Sequence, residues 1–353
     1  MSMPSKGRLL TYVDALREAV DQEMARDDSV FVIGLDVDDH KGIQGSTKGL
    51  VDKYGADRVM MTPLSEDAMT GVCIGAAMAG FRPIHVHIRM DFLMLCMNQL
   101  VNMASKAHYM YAGQVKVPMV VRAMIGKSWG QGAQHSQGLH SMLMHIPGMK
   151  VCAPSNAHDA KGCMVAAIRD NNPVLVTEHR LLYYADAYVP EELYEVKPGK
   201  SRVVTEGKDI TIVGISNMVP ECLRAQEILK EEGIEAEVID PIWLAPLDAD
   251  TIAKSVKKTG RLLVVDNSWV NTGASAEIAA RVAEMDVGPH VTRRMGYAPT
   301  TCPTTPSLED HFYPNPATIA SMAHRMVHPD APQWTPDPEK AKLAYQAQFK
   351  GPF

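Results

Sequence analysis

The sequence predicts an α/β protein built as two doubly wound domains with mostly parallel sheets. Three observations carry that prediction. Short β-branched runs alternate with stretches of helical periodicity, the pattern of parallel strands joined by helical crossovers. The alternation pauses once, in a Pro- and Glu-rich stretch beginning at Val189, and then resumes. The 353 residues suffice for about two domains at roughly 150 residues each. The expected boundaries are a first domain over 1–188, a linker over 189–206, a second domain over 207–330 and a tail over 331–353.

Each element has a local reason. Thr11 to Ala25 places apolar residues at helical spacing, and Ser29 to Gly34 is a β-branched run closed by glycine. Ser65 to Ala79 reads as a helix with Ser65 as N-cap, Pro63 just before it, and the acids Glu66 and Asp67 in its first turn. Arg82 to Ile88 is strand-like, Asp91 to His108 helical, and Val115 to Arg122 a buried strand. A strand starts at Val151 after Pro147-Gly148, a helix runs from Ala157 to Asp170, and Val174 to Thr177 is a strand. Beyond the linker the expected strands are Asp209 to Val213, Glu235 to Ile239 and Arg261 to Val265. The expected helices are Val219 to Glu232, Asp248 to Lys258, Ala274 to Ala283 and Ala317 to Val327. From His328 the tail is rich in Pro and Lys and is expected on the surface.

Composition narrows the function classes. Lys and Arg total 35 against 41 Asp and Glu, a net charge of −6, which argues against a nucleic acid partner. No apolar run approaches the roughly 18 residues a membrane span needs, and the polar start from Met1 to Arg8 shows no secretory signal. The expected location is the cytoplasm, without membrane association. A composition 46% hydrophobic and 22% charged excludes a largely disordered chain. The six cysteines form no CxxC and several sit in apolar stretches, as buried thiols of a reducing compartment do; the thirteen histidines form no HExxH.

Ligands of parallel sheets bind beyond the carboxyl ends of the strands, which directs attention to three strings. In TPLSEDAMTG, Glu66 opens a helix, where an acid ordinarily compensates the dipole. In GQGAQHSQG, His135 lies on a polar, glycine-rich loop, where an imidazole either meets a substrate or bonds to nearby backbone. In HVHIR, the strand period of two puts His85, His87 and Arg89 on one face; that face is either solvated or holds a carboxylate or phosphate of a substrate. The common nucleotide cradles GxGxxG after a strand and GxxxxGK[ST] are absent.

These strings, with MDFLMLCMNQLVNMASKAHYM, GQVKVPMVVR and HIPGMKVCAPSNAHDAKGCMVAAIRDNNPVL, resemble the thiamine diphosphate pyrimidine-binding domain. That domain is shared by transketolases and the beta subunits of 2-oxo acid dehydrogenase decarboxylating components. The second half resembles the matching transketolase C-terminal domain through KDITIVGISNMVPECLRAQEILKEEGIEAEVIDPIWLAPLD and KKTGRLLVVDNSW. The resemblance implies that the Glu66 carboxyl bonds N1′ of the cofactor's aminopyrimidine. A protonated, buried carboxyl there favours the imino form that takes the proton from the thiazolium, the eventual electron sink. It implies that His135 orients or protonates substrate, and that Met90 and Phe92 pack against the pyrimidine. It also implies a potassium site on Met119, Ala167, Ile168, Asp170 and Asn172, for which a plain helix C-cap and turn is the alternative.

The family holds the diphosphate through Mg²⁺ on a GDG…N motif, and this sequence contains no GDG. The expected partner is therefore an alpha-type subunit carrying that motif, in an α2β2 heterotetramer, with a lipoyl acyltransferase as a further possible partner. Departures from the family pattern cluster. Leu35 and Val86 replace usual acids, while His85, His87, Arg89 and Lys127 appear around them. The expectation is an altered pocket preferring an anionic substrate group, or an altered acceptor. The expected function is the beta-type half of an enzyme that decarboxylates a 2-oxo acid and transfers the acyl unit. The alternatives are a split transketolase or carboligase acting on an aldehyde acceptor, and a non-catalytic scaffold, against which the retained Glu66 and GAQHSQ argue.

Overall fold

The computed structural model describes residues 8–39, 41, 43–127 and 130–337 of the chain. These residues form two compact units. The first comprises the described residues up to Ile125 together with Met142–Pro198; the second comprises Gly126–Ser141 and the described residues from Gly199 onward.

The β-branched runs of the first unit become buried strands because helices cover both faces of their sheet. Six strands lie in the order Lys150–Cys152, Val174–His179, Val120–Ile125, Arg82–His87, Val30–Gly34 and Val59–Met61. Every pairing among them is parallel. Helix Tyr12–Arg26 packs on helix Ala157–Arg169, and helix Glu66–Met78 packs on strand Arg82–His87. The sheet interior carries one buried ion pair. Arg122 donates from Nε and Nη2 to the two oxygens of Glu178 at 2.6 and 2.8 Å, and the Tyr183 hydroxyl donates to Glu178 Oε2 at 2.6 Å.

The second unit orders its strands as Val291–Tyr297, Arg261–Trp269, Ile210–Gly214, Ala236–Asp240 and Arg202–Thr205. The first four are parallel and the last is antiparallel. Helices Met218–Glu231 and Pro316–Val327 close one core over Ile212, Val238, Leu263 and Val265. Helices Ala249–Thr259 and Ala274–Ala283 pack against each other and against strand Arg261–Trp269.

The expected first domain spans 1–188; by compactness Gly126–Ser141 groups with the second unit. Several expected elements are corrected. The expected linker contains strand Arg202–Thr205, because Thr205 Oγ1 takes hydrogen bonds from Val238 N at 3.2 Å and Gln226 Nε2 at 2.8 Å. The expected strand over Val115 to Arg122 begins only at Val120 and runs on to Ile125. Pro118 cannot donate to a ladder, and Val117 N turns instead to Asn171 O at 3.2 Å. The expected helix over Asp91 to His108 is present as helical backbone without a break from 90 to 110, but its hydrogen-bond period changes along the way: Met90–Leu93 is α-helical, Met94–Cys96 a 3₁₀ turn, Gln99–Ala104 π-helical and Ser105–Met110 α-helical again. There the Ser105 hydroxyl donates to Val101 O at 2.8 Å, competing with the backbone ladder. Within the expected tail, Trp334 stacks on His324 at 4.6 Å and packs on the core of the second unit; residues 338–353 lie outside the described residues.

Candidate functional site

Glu66 is the first residue of helix Glu66–Met78, and Ser65 occupies the N-cap position without a side-chain capping bond. The expectation was a buried carboxyl; within this chain Glu66 is half-buried. One turn further on, Thr70 shares its face, as a separation of four residues requires. Thr70 is fully buried and its hydroxyl donates to Glu66 O at 2.8 Å. The same oxygen lies 3.1 Å from His85 Nε2, while His85 Nδ1 lies 3.3 Å from Ile33 O. The first turn of the helix is thereby tied to the carboxyl ends of strands Val30–Gly34 and Arg82–His87.

His85 and His87 share one face of their strand, with ring centroids 4.3 Å apart in edge-to-face contact. That face is not solvated, for the two rings are 2% and 5% exposed. Burial holds the His85 imidazolium down to a pKa of about 4, against a smaller opposing pull from Ile33 O. Burial, and then the neighbouring His85, depress His87 well below its ordinary value. At neutral pH the pair therefore presents neutral hydrogen-bonding nitrogens and no charge, which corrects the expectation of three basic side chains gripping an anion. His87 Nε2 is buried and has no hydrogen-bond partner among the described residues. Arg89 keeps a cation at this edge of the sheet. It is half-buried, with Nη1 donating to Ile88 O at 2.8 Å, and burial lowers its pKa. Met90 is fully buried, whereas Phe92 is 37% exposed. The Cys73 and Cys96 thiols lie close by and are pushed up by burial to about 12 and about 11, the character of inert core residues.

The proposed potassium residues gather at the opposite, amino-terminal edge of the same sheet, where strands begin at Arg82, Val120, Lys150 and Val174. Their oxygens already have partners. Met119 O accepts from Val174 N at 3.0 Å and Ala167 O from Asp170 N at 3.3 Å. Arg82 Nη1 donates to Ile168 O at 2.9 Å and to Asp170 O at 3.0 Å. Asp170 Oδ1 accepts from Asn172 N at 2.9 Å, and the Asp170 carboxylate is paired with Lys150. An ion here would share these oxygens with two side-chain cations, Arg82 and Lys150, the latter 31% exposed and paired with Asp170.

Lys127 and His135 belong to the second unit. Lys127 is buried, its Nζ lies 5.3 Å from the centre of the Tyr313 ring, and its charge acts on Glu221 and Glu309. Burial raises both carboxyls; Arg224, paired with Glu221 at 2.6 Å, and then Lys127 oppose the rise at Glu221, and Lys127 opposes it at Glu309. His135 is half-buried and follows the tight turn Gly132–Gln134, its backbone N donating to Gly132 O at 3.3 Å. Gly130 and Gly132 have positive φ, and a β-carbon on either would strike Thr304. Among the described residues no three His, Cys, Asp or Glu side chains gather to hold a metal ion, and no helix is long and apolar enough to cross a membrane.

Sequence reasoning missed Thr70, whose signal was its place four residues after Glu66. It also missed the pairing of His140 with Asp266, 126 residues apart, for which no local signal exists.

Residues 9–185 match the transketolase pyrimidine binding domain family, and residues 199–319 match the transketolase C-terminal domain family. The chain is 42% identical over 332 residues to the acetoin:2,6-dichlorophenolindophenol oxidoreductase subunit beta of Cupriavidus necator, covering 91% of this chain and 98% of that protein. It is 41% identical over 325 residues to the mitochondrial pyruvate dehydrogenase E1 component subunit beta of Dictyostelium discoideum, covering 90% and 91%. A split-gene transketolase, solved as an inactive beta4 tetramer, superimposes with a TM-score of 0.75 at 20% identity over 90% of this chain and 98% of that one, a likeness of fold. With both domain families matched in order and relatives above 40% identity along nearly the whole length, the chain belongs to the beta subunits of thiamine diphosphate-dependent 2-oxo acid dehydrogenase E1 components.

Proposed function

We propose that this chain is the beta-type half of a two-component enzyme that cleaves the bond between a carbonyl carbon and its neighbour, in a 2-oxo acid or an acyloin, and hands on the acyl unit. The observation that carries this reading is Glu66, set at the head of its helix and braced through Thr70 against the strand end at His85. Thiamine diphosphate, when bound, supplies the electron sink for the cleaved bond. Glu66 would hold the pyrimidine by its ring nitrogen and keep a proton at that atom, with Met90 and Phe92 as the apolar wall. His85 and His87, neutral and buried, would orient polar groups of the substrate, and Arg89 would meet an anionic one. His135 would hold or move a proton on the substrate side.

The diphosphate and its Mg²⁺ are assigned to an alpha-type partner chain in an α2β2 heterotetramer, since this sequence has no GDG. Potassium at Asp170 requires Lys150 to move aside. A lipoyl acyltransferase as acceptor and a cytoplasmic location complete the reading; all six cysteines are free and buried, which suits a reducing compartment.

The test is reconstitution with the partner subunit, thiamine diphosphate and Mg²⁺. The expected result is reduction of a dye acceptor by a 2-oxo acid or acetoin, requiring both chains. Product formed only with an added aldehyde, and no dye reduction, would replace this reading with a carboligase. Turnover by this chain alone would overturn the two-component assignment.

A further inference from the structure

We propose that His140, held by Asp266, is a positioning residue for His135. The inference rests on the reading above that His135 meets the substrate.

The loop Gly126–Ser141 is fastened on both limbs within the second unit. On the entering limb Gly130 and Gly132 press directly on Thr304. On the returning limb Gly138 packs so closely on Asn267 O that no β-carbon fits, and Ser268 Oγ donates to Gly138 O at 2.7 Å. Two residues later His140 Nε2 lies 3.0 Å from Asp266 Oδ1. Asp266 Oδ2 accepts from Ser275 N at 3.1 Å, so both carboxylate oxygens are used. His140 and Asp266 are fully buried, and His140 Nδ1 has no hydrogen-bond partner among the described residues. A loop that needed only an apolar plug would take leucine at 140 and leave no ring nitrogen desolvated. The imidazole–carboxylate pair instead accepts one orientation, and that orientation fixes the limb five residues after His135.

A displacement of about 1 Å at a reacting group costs roughly 100-fold in rate. His140→Leu in the reconstituted enzyme should therefore lower kcat about 10- to 100-fold with KM changed less than about threefold. His140→Gln, whose Nε2 can replace the imidazole donor, should restore most of the loss. In a His135→Ala background His140→Leu should cost less than about twofold more, because residues acting as one unit are not additive. Hydrogen–deuterium exchange of the His140→Leu chain should quicken across 130–139 and stay unchanged in strand Val120–Ile125. Should His140→Leu fail to fold, Asp266→Asn, which keeps an acceptor for His140, is expected to show the same epistasis in milder form. Full additivity with His135→Ala, a His140→Gln variant as impaired as His140→Leu, or an unchanged kcat in His140→Leu would overturn the proposal. If His135→Ala itself left turnover intact, the role of His135 would fail first and the positioning role with it.

Discussion

The Thr70 hydroxyl lies 2.8 Å from Glu66 O and 3.1 Å from His85 Nε2, yet carries one proton for two contacts. Because that proton goes to Glu66 O, the contact with His85 takes Nε2–H as its donor, and a neutral His85 then has no proton left for Ile33 O, 3.3 Å from Nδ1. The chain from Nε2 through Thr70 to Glu66 O couples the first helical turn to the strand end beneath the Glu66 carboxyl.

That bracing makes Glu66 separable from the fold. Glu66→Gln should lower turnover of the assembled enzyme at least about 100-fold, the upper part of the range for proton-transfer groups. Stability should change by no more than about 1 kcal/mol, since the side chain is half-buried and the Thr70 bond goes to the main chain. Steady-state kinetics beside a denaturant melt would measure both. Undiminished turnover would remove the central assignment.

The two buried histidines give the fold an acid limit. The native pKa of His85, about 4, lies below its ordinary 6.5, so the unfolded chain binds its proton first as pH falls. The stabilisation is complete above about pH 6.5 and drains away toward about pH 4, amounting to about 3 kcal/mol at 1.36 kcal/mol per pH unit. His87, shifted in the same direction, steepens the loss. Denaturant melts from pH 7 to 4 should show this slope, and His85→Gln should flatten it. Equal slopes in the two proteins would contradict the burial argument.

The buried pair of Arg122 and Glu178 is predicted to be asymmetric. Arg122→Met leaves the Glu178 carboxylate desolvated with only Tyr183 to bond it, at a cost of about 3–5 kcal/mol. Replacing both partners with apolar residues, Arg122→Met with Glu178→Leu, should recover more than half of that. Equal losses in the single and double variants would show that the pair is worth more than its desolvation.

Selectivity should rest on Arg89 more than on Lys127. Arg89 lies on the strand face of the two neutral imidazoles and is opposed by Asp91, whereas the Lys127 charge acts on Glu309 and, behind Arg224, on Glu221 in the second unit. Arg89→Ala should lower kcat/KM for an anionic substrate relative to a neutral one about tenfold, the size of one charge-assisted hydrogen bond of about 1.5 kcal/mol. Lys127→Ala should alter the ratio less. A ratio unmoved by Arg89→Ala would end the anion-binding assignment.

Potassium should matter only when Lys150 is out of the way. Exchanging potassium for sodium is expected to leave the melting temperature nearly unchanged in the parent chain. Lys150→Met strips the Asp170 carboxylate of its ammonium partner and should make the melting temperature potassium-dependent. Absence of any potassium effect in Lys150→Met would discard the ion site.

Much of this was written locally. The alternating periodicities located the parallel strands at Val30, Arg82 and Val174 and most helices to within a residue or two, because those segments bury continuous apolar faces. Strand Val291–Tyr297 escaped notice because its interior is Thr-Arg-Arg and it lies at a sheet edge. Glu66 was legible only by resemblance, for an acid in a first helical turn is ordinary. The neutrality of His85 and His87 was not legible at all. Alternation shows which residues share a face, whereas the covering of that face depends on helix Glu66–Met78 and the turns after Met90. The same limit explains why the packing of 126–141 with the second unit was not legible, since its fastenings lie at 266–268 and 304.

Those fastenings impose an order on biosynthesis. When the ribosome has delivered the strands of the first unit, neither Asp266 nor Thr304 has yet emerged, and the segment bearing His135 and His140 has nothing to grip. Its assembly waits for the last third of the polypeptide. A gene cut at the junction near Pro198 would therefore yield a fragment bearing the histidine but lacking its anchorage, so recombination between relatives is constrained to exchange that loop and the carboxyl-terminal half together.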